Sequence, residues 1–174
     1  MIARMTGRTE EAQAIYAKVL ARTNEPDHAG LDDSHLVNMR FALMGGLGMM
    51  EAGMGLESSL AWAAQIEAEP LYQVNAVQIR MLYHLWRGDA REAERCKHQV
   101  DLLRIQRSTR QFFEGTHLMW QIVAHASTAD LTRTKQTIEE IDVLVRRYPG
   151  WLPVRQYGMG EYHRIRGDLP SALA

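Results

Sequence analysis

The feature that most constrains this chain is a segment that occurs twice. "YHLWRGDAREA" begins at Tyr83 and "YHRIRGDLPSA" begins at Tyr162. The two share Tyr, His, Arg, Gly, Asp and Ala in register, 79 residues apart. A weaker copy, "HASTADLT", lies between them, with His125 and Asp130 in the matching places. Near the start, Gly7 stands five residues before Ala12, as Gly88 does before Ala93 and Gly167 before Ala172. With Gly53 supplying the remaining turn, the turn positions are Gly7, Gly53, Gly88, Ala129 and Gly167. Their spacings are 46, 35, 41 and 38, a mean of 40. Self-similarity at such a period marks an array of repeated supersecondary units. Within each unit glycine permits a tight bend. Asp then caps the next helix by accepting from its free amides, and a small residue five positions on lets the two helices approach. The tripeptide Arg-Gly-Asp is therefore turn chemistry here and not an adhesion signal.

The hydrophobic spacing agrees with helices throughout. Ala12, Ile15, Tyr16, Val19 and Leu20 form one stripe. Leu36, Met39, Leu43, Leu47, Met50 and Met54 form another. Ala93, Cys96, Val100 and Leu103 make a third, and Ile138, Ile141, Val145 and Tyr148 a fourth. Breakers separate them at "NEPDHAGLDD", "EPLY" and "RYPGWLP". Alternating β-branched runs are few, and no Asn-Gly or Asp-Gly hairpin turn occurs. The expected fold is all-α, a superhelix or solenoid of antiparallel helix pairs. It comprises about four repeats in a single domain over residues 1–174.

The units resemble the tetratricopeptide repeat, whose pattern runs W-x2-L-G-x2-Y, a small residue, an aromatic and Pro. The small residue seven before the turn is matched by Gly46 and Gly160, and the aromatic nine after it by Tyr16 and Trp62. Pro70 matches the closing Pro, with Pro26 and Pro149 displaced by two or three residues. The sequence departs from the pattern in placing Met49, His84, His125 and His163 where the family has Tyr, and in lacking the leading Trp. The resemblance implies that residues thirteen, ten, six and three before each turn line a concave face. These are Arg40, Leu43, Leu47 and Met50, then Asn75, Gln78, Leu82 and Leu85, then Met119, and finally Tyr157, Glu161 and Arg164. It further implies a protein or peptide as the partner, and no enzyme activity. The context it suggests is the repeat region of a multidomain bacterial signalling kinase, ATPase or transcriptional regulator. The chain reads as a fragment cut at both ends, beginning in the tail of a helix at Ile2 to Met5, and self-association through those ends is expected.

Other chemistries are disfavoured by their own requirements. The stretch "LMGGLGMMEAGMG" from Leu43 to Gly55 is glycine-rich, but a dinucleotide loop needs G-x-G-x-x-G between a strand and a helix. Here Glu51 stands where the third glycine would be, helix-patterned residues precede it, and no Walker lysine follows. The interior glycines, Gly45 and Gly48, predict either unusually close helix contact or a soft helix, since each costs up to about 1 kcal/mol relative to Ala. His84, His125 and His163 sit roughly 10 Å apart in stacked units, too far for one metal ion, so no metal or other cofactor is expected. Cys96 lies on an apolar stripe and reads as an inert core thiol. Glu139, Glu140 and Asp142 read as a solvated face. Arg104, Arg107 and Arg110 gather at a link between units and read as a charged loop. A net charge of −1 gives no reason to expect nucleic acid. No apolar run is long enough for a membrane helix, and one cysteine and no secretory leader suit the cytoplasm. Two functions follow from the apolar concave face: a protein interaction or scaffold module, and, as the alternative, a small-molecule sensor with its ligand in that groove.

Overall fold

The computed structural model describes residues 9–25, 32–107 and 116–173. Gly7, Pro26, the segment from Ile2 to Met5 and the side chains of Arg104, Arg107 and Arg110 lie outside the described residues. The fold is all-α. Among the described residues the helices are α1 Thr9–Arg22, α2 Asp33–Ala52, α3 Ser58–Glu67, α4 Gln73–Trp86 and α5 Ala90–Arg107. They continue with α6 Thr116–Ser127, α7 Leu131–Arg147, α8 Leu152–Ile165 and α9 Leu169–Ala172. The two proline breakers each form a short 3-10 turn, Pro70–Tyr72 and Pro149–Trp151, ahead of α4 and α8. The chain divides into two compact units, Met1–Ser108 and Thr109–Ala174.

In the first unit each helix packs on the next, and α2 also packs on α4. The second unit repeats this scheme, with α6 on α7, α7 on α8, α8 on α9, and α6 also on α8. Val74, Val77 and Met81 of α4 meet Cys96 and Val100 of α5 to form one apolar core. Leu118 and Ile122 of α6 meet Ile138 and Ile141 of α7 to form another. The Cys96 thiol is buried in the first of these, and burial pushes its pKa up, which keeps it protonated and unreactive.

Three turns share one construction. Gly88, Ala129 and Gly167 have φ of 76°, 55° and 78°, the left-handed conformation that ends a helix. The following N–H reaches back to the carbonyl of the repeated histidine. These bonds are Asp89 to His84 at 2.9 Å, Asp130 to His125 at 3.0 Å and Asp168 to His163 at 3.0 Å. The N–H of Gly88, Ala129 and Gly167 reaches the carbonyl of Leu85, Ala126 and Arg164. This pair of bonds is the Schellman motif. The same Asp then opens the next helix. Its Oδ1 accepts from the N–H of Glu92, Arg133 and Ser171 respectively, at 3.1, 3.0 and 3.3 Å. In two of the turns the histidine Nδ1 also faces the Asp carboxylate, at 3.7 Å for His84 and 3.3 Å for His163.

The turn between α2 and α3 differs from expectation. Gly53 is right-handed, with φ −66°, and Gly55 at φ 68° is the left-handed residue. The closing bonds run from Leu56 N–H to Glu51 carbonyl and from Gly55 N–H to Ala52 carbonyl, both 3.0 Å. The left-handed residues are therefore spaced by 33, 41 and 38. Gly48, not Gly46, falls seven before the turn, as Gly160 does. A Cβ on Gly160 would stand 3.2 Å from the carbonyl of Ala172, the small residue five past the turn, so the two small residues do meet.

The glycines of α2 admit neighbours on two sides. A Cβ on Gly48 would stand 2.6 Å from Ile79 Cδ1 of α4 and 3.0 Å from Trp62 Cβ of α3. A Cβ on Gly46 would collide with the Tyr16 ring of α1. The expected close contact is therefore observed at Gly48, whereas a Cβ on Gly45 would stand at an ordinary 3.8 Å from Ile66 Cδ1. The α1 stripe is only half used: Ala12 is buried, while Ile15 and Val19 are exposed. Asp142 is not a solvated charge either, since its Oδ1 accepts from Arg155 Nε of α8 at 2.6 Å. None of the helices among the described residues is long and apolar enough to cross a membrane.

Candidate interaction surface

The twelve residues expected on the concave face separate into three groups. Leu47, Met50, Gln78 and Leu82 are buried. Their side chains are interior, though Leu47 also lines a cleft beside α1. For Leu47 and Met50 the cause is packing, since α2 contacts α1, α3 and α4. With Gly55 as the turn, the positions thirteen, ten, six and three before it are Ala42, Gly45, Met49 and Ala52, and the last three of these are buried as well. For Gln78 and Leu82 the register is as expected, but α4 packs against α2 as well as α3 and α5, which covers that face.

A second group is half-buried. Leu85 packs against the α4–α5 core. Leu43, Asn75 and Met119 are intermediate in exposure. Arg40 is engaged inside the chain: its Nη2 donates to the Thr23 carbonyl at 2.8 Å and its Nε to Thr23 Oγ1 at 3.4 Å. That places a guanidinium at the C-terminal end of α1, where the helix dipole and free carbonyls favour a cation. Comparable bridges span two other helix junctions. Arg80 of α4 is bidentate to Glu67 of α3, at 2.7 and 2.5 Å, and Arg155 of α8 bonds Asp142 of α7. Sequence reading missed these arginines, because an arginine binding the preceding helix and one facing solvent have the same letter. The available signal was position: Arg80 and Arg155 each follow their acid by 13 residues.

The third group forms a stripe on α8, with Tyr157 and Arg164 exposed and Glu161 half-buried. Tyr157, Glu161 and Arg164 are four and three residues apart, so they stack along a single helix face. Tyr157 is 45% exposed. Arg164 Nη2 donates to Glu161 Oε2 at 2.6 Å and to the Ala126 carbonyl of α6 at 3.2 Å. The latter bond fixes the guanidinium over the α6 terminus. Partial burial, and then the charge of Glu161, push the Tyr157 hydroxyl pKa up, so it stays a neutral donor. A flat aromatic with one hydroxyl, flanked by a positioned ion pair, suits contact with a polar-rimmed protein surface. Among the described residues no group of three or more His, Cys, Asp or Glu is arranged to hold a metal ion. His117 and His125 are buried, and His84 and His163 are half-buried beside their aspartates.

Neither a family model, nor a curated protein, nor a solved structure matches this chain.

Proposed function

We propose that this chain is a non-enzymatic protein interaction module: tetratricopeptide-like hairpins in a right-handed solenoid, acting as a regulatory or scaffold segment of a larger cytoplasmic signalling protein. The observation that carries the reading is the α8 stripe. Tyr157 and Arg164 are exposed, with Glu161 half-buried between them, on a helix that Met159 and Tyr162 fix against the α6–α7 core. The reading is also supported by how the polar residues are used. The repeated His and Asp residues serve the turns, and Arg40, Arg80 and Arg155 join neighbouring helices. The sensor alternative is less well supported, because Leu47, Met50 and Leu82 would have supplied much of the groove's apolar lining and all three are buried.

The test is partner capture from cell extract by the full chain and by two variants, Tyr157→Ala and Arg164→Glu. Aromatic and arginine anchors typically cost 2 kcal/mol or more on removal, roughly a thirtyfold loss of affinity. Each variant should lose capture while keeping its helical circular dichroism. A control at exposed Ile15, Ile15→Ala, should bind as the parent does. Undiminished capture by both α8 variants would end the proposal.

A further inference from the structure

The turn after α2 is the described turn that lacks the His and Asp pair, and it borders a cleft. Helices α1 and α3 both pack on α2 and leave between them an open groove of about 550 Å3. Ala14, Ala17 and Ala21 of α1 form one wall, Leu47 of α2 the floor, and Trp62 of α3 lies opposite. The volume is in the range of small-molecule pockets. Glu51, at the position His84, His125 and His163 hold elsewhere, also lines it.

Glu51 is oriented by two neutral donors. Its Oε2 accepts from Ser58 Oγ at 2.6 Å and from Trp62 Nε1 at 3.0 Å. Both donors are neutral, so they fix the carboxylate without neutralising it. Among the described residues Oε1 has no partner and no lysine, arginine or histidine lines the cleft. A half-buried carboxylate beside an apolar wall favours a cation that can donate one hydrogen bond and rest hydrocarbon on the wall. A neutral amphiphile would gain only the wall. An anion would be repelled.

We propose that this cleft binds a small primary amine with an apolar body, its ammonium on Glu51 Oε1 and its hydrocarbon between the α1 alanines and Trp62. The site belongs to the first unit and does not depend on the α8 surface of the second. Alanines suit the role, since larger residues on that face of α1 would fill the cleft.

The experiment titrates the full chain with hexylammonium, hexan-1-ol and hexanoate, following the Trp62 indole N–H by NMR. Hexylammonium should shift that resonance and bind on the order of tenfold more tightly than hexanol, as a charge-assisted hydrogen bond predicts. Hexanoate should bind least. Glu51→Gln should bring the ammonium and the alcohol to equal affinity. Ala17→Leu, which leaves the Glu51 hydrogen bonds untouched, should weaken both. Equal binding of ammonium and alcohol by the parent chain would overturn the proposal, as would a preference surviving in Glu51→Gln. A blocked lysine, Nα-acetyl-lysine methylamide, binding more tightly than hexylammonium would overturn the assignment to a free amine and make a protein side chain the occupant.

Discussion

The turn between α2 and α3 and the turns after α4, α6 and α8 bend the backbone alike but are held by different side chains. All four close with the same two hydrogen bonds around one left-handed residue. In three of them an Asp serves both helices, finishing one and capping the next. In the fourth, Leu56 takes the place of that Asp, and Glu57 at the start of α3 makes no side-chain cap bond. Glu51 instead binds forward to Ser58 and Trp62. The backbone device is thus separable from the side-chain device. Where the second is absent, a longer-range polar contact holds α3 to α2.

If that contact replaces the cap, removing it should have the largest effect. Glu51→Ala leaves the Trp62 indole N–H without its acceptor, so we expect a loss of about 2 kcal/mol in denaturant unfolding. His84→Ala should cost less, because the Asp89 side chain keeps its cap bond to Glu92. A larger loss for His84→Ala would break the comparison. Next in size is the cap itself. Asp130→Ala should destabilise by about 1 kcal/mol, while Glu57→Ala should stay within about 0.5 kcal/mol. Equal losses would mean that the α3 start is capped after all.

The left-handed positions offer a smaller contrast of opposite sign. Ala129 carries φ 55° with a Cβ that this conformation disfavours. Ala129→Gly should therefore stabilise by about 0.5–1 kcal/mol, and Gly88→Ala should destabilise by about 1 kcal/mol. Paired thermal melts check both signs. The smallest expected effect is local and depends on pH. Hydrogen bonds from Ser171, with a lesser contribution from His163, hold the Asp168 carboxyl below the usual carboxylate range. A carboxylate depressed in the folded state contributes fully above its unfolded-state pKa, about 3.9, and the contribution is lost as pH falls through the folded value. Below about pH 4 the Ser171 amide at the start of α9 should lose protection, corrected for intrinsic exchange. Protection unchanged down to about pH 2 would contradict the role given to the Asp168 cap.

The sequence carried the three regular turns in full, because Gly-Asp and Ala-Asp state the bend and the cap in adjacent letters. It did not carry the fourth, where Gly53 and Gly55 are both available and only the closing bonds choose between them. That slip of two residues rotates the assignment of α2 by about 200°. Leu47 and Met50 are core in either register, since α2 packs on α1, α3 and α4 and every residue from Leu47 to Met50 is buried. Gln78 and Leu82 were misplaced for the same reason, since a single helix stripe cannot report that α2 and α4 also pack together. Of the α8 residues, the expected exposure holds for Tyr157 and Arg164 and only partly for Glu161. The role of Glu51 was not readable, because its bond to Trp62 crosses eleven residues and two helices.

A turn in which one Asp finishes one helix and starts the next has no spare length. It acts as a clamp and not as a hinge, so twisting one helix must carry its successor with it. One inserted residue would separate the two tasks that Asp89, Asp130 and Asp168 each perform. Variation in repeat length must therefore be stored elsewhere. The helices after the turns show where: α3 has 10 residues, α5 has 18 and α7 has 17. Tolerance to lengthening, and with it the freedom to drift from a fixed period, lies in the second helix of each pair and in the joint that follows it.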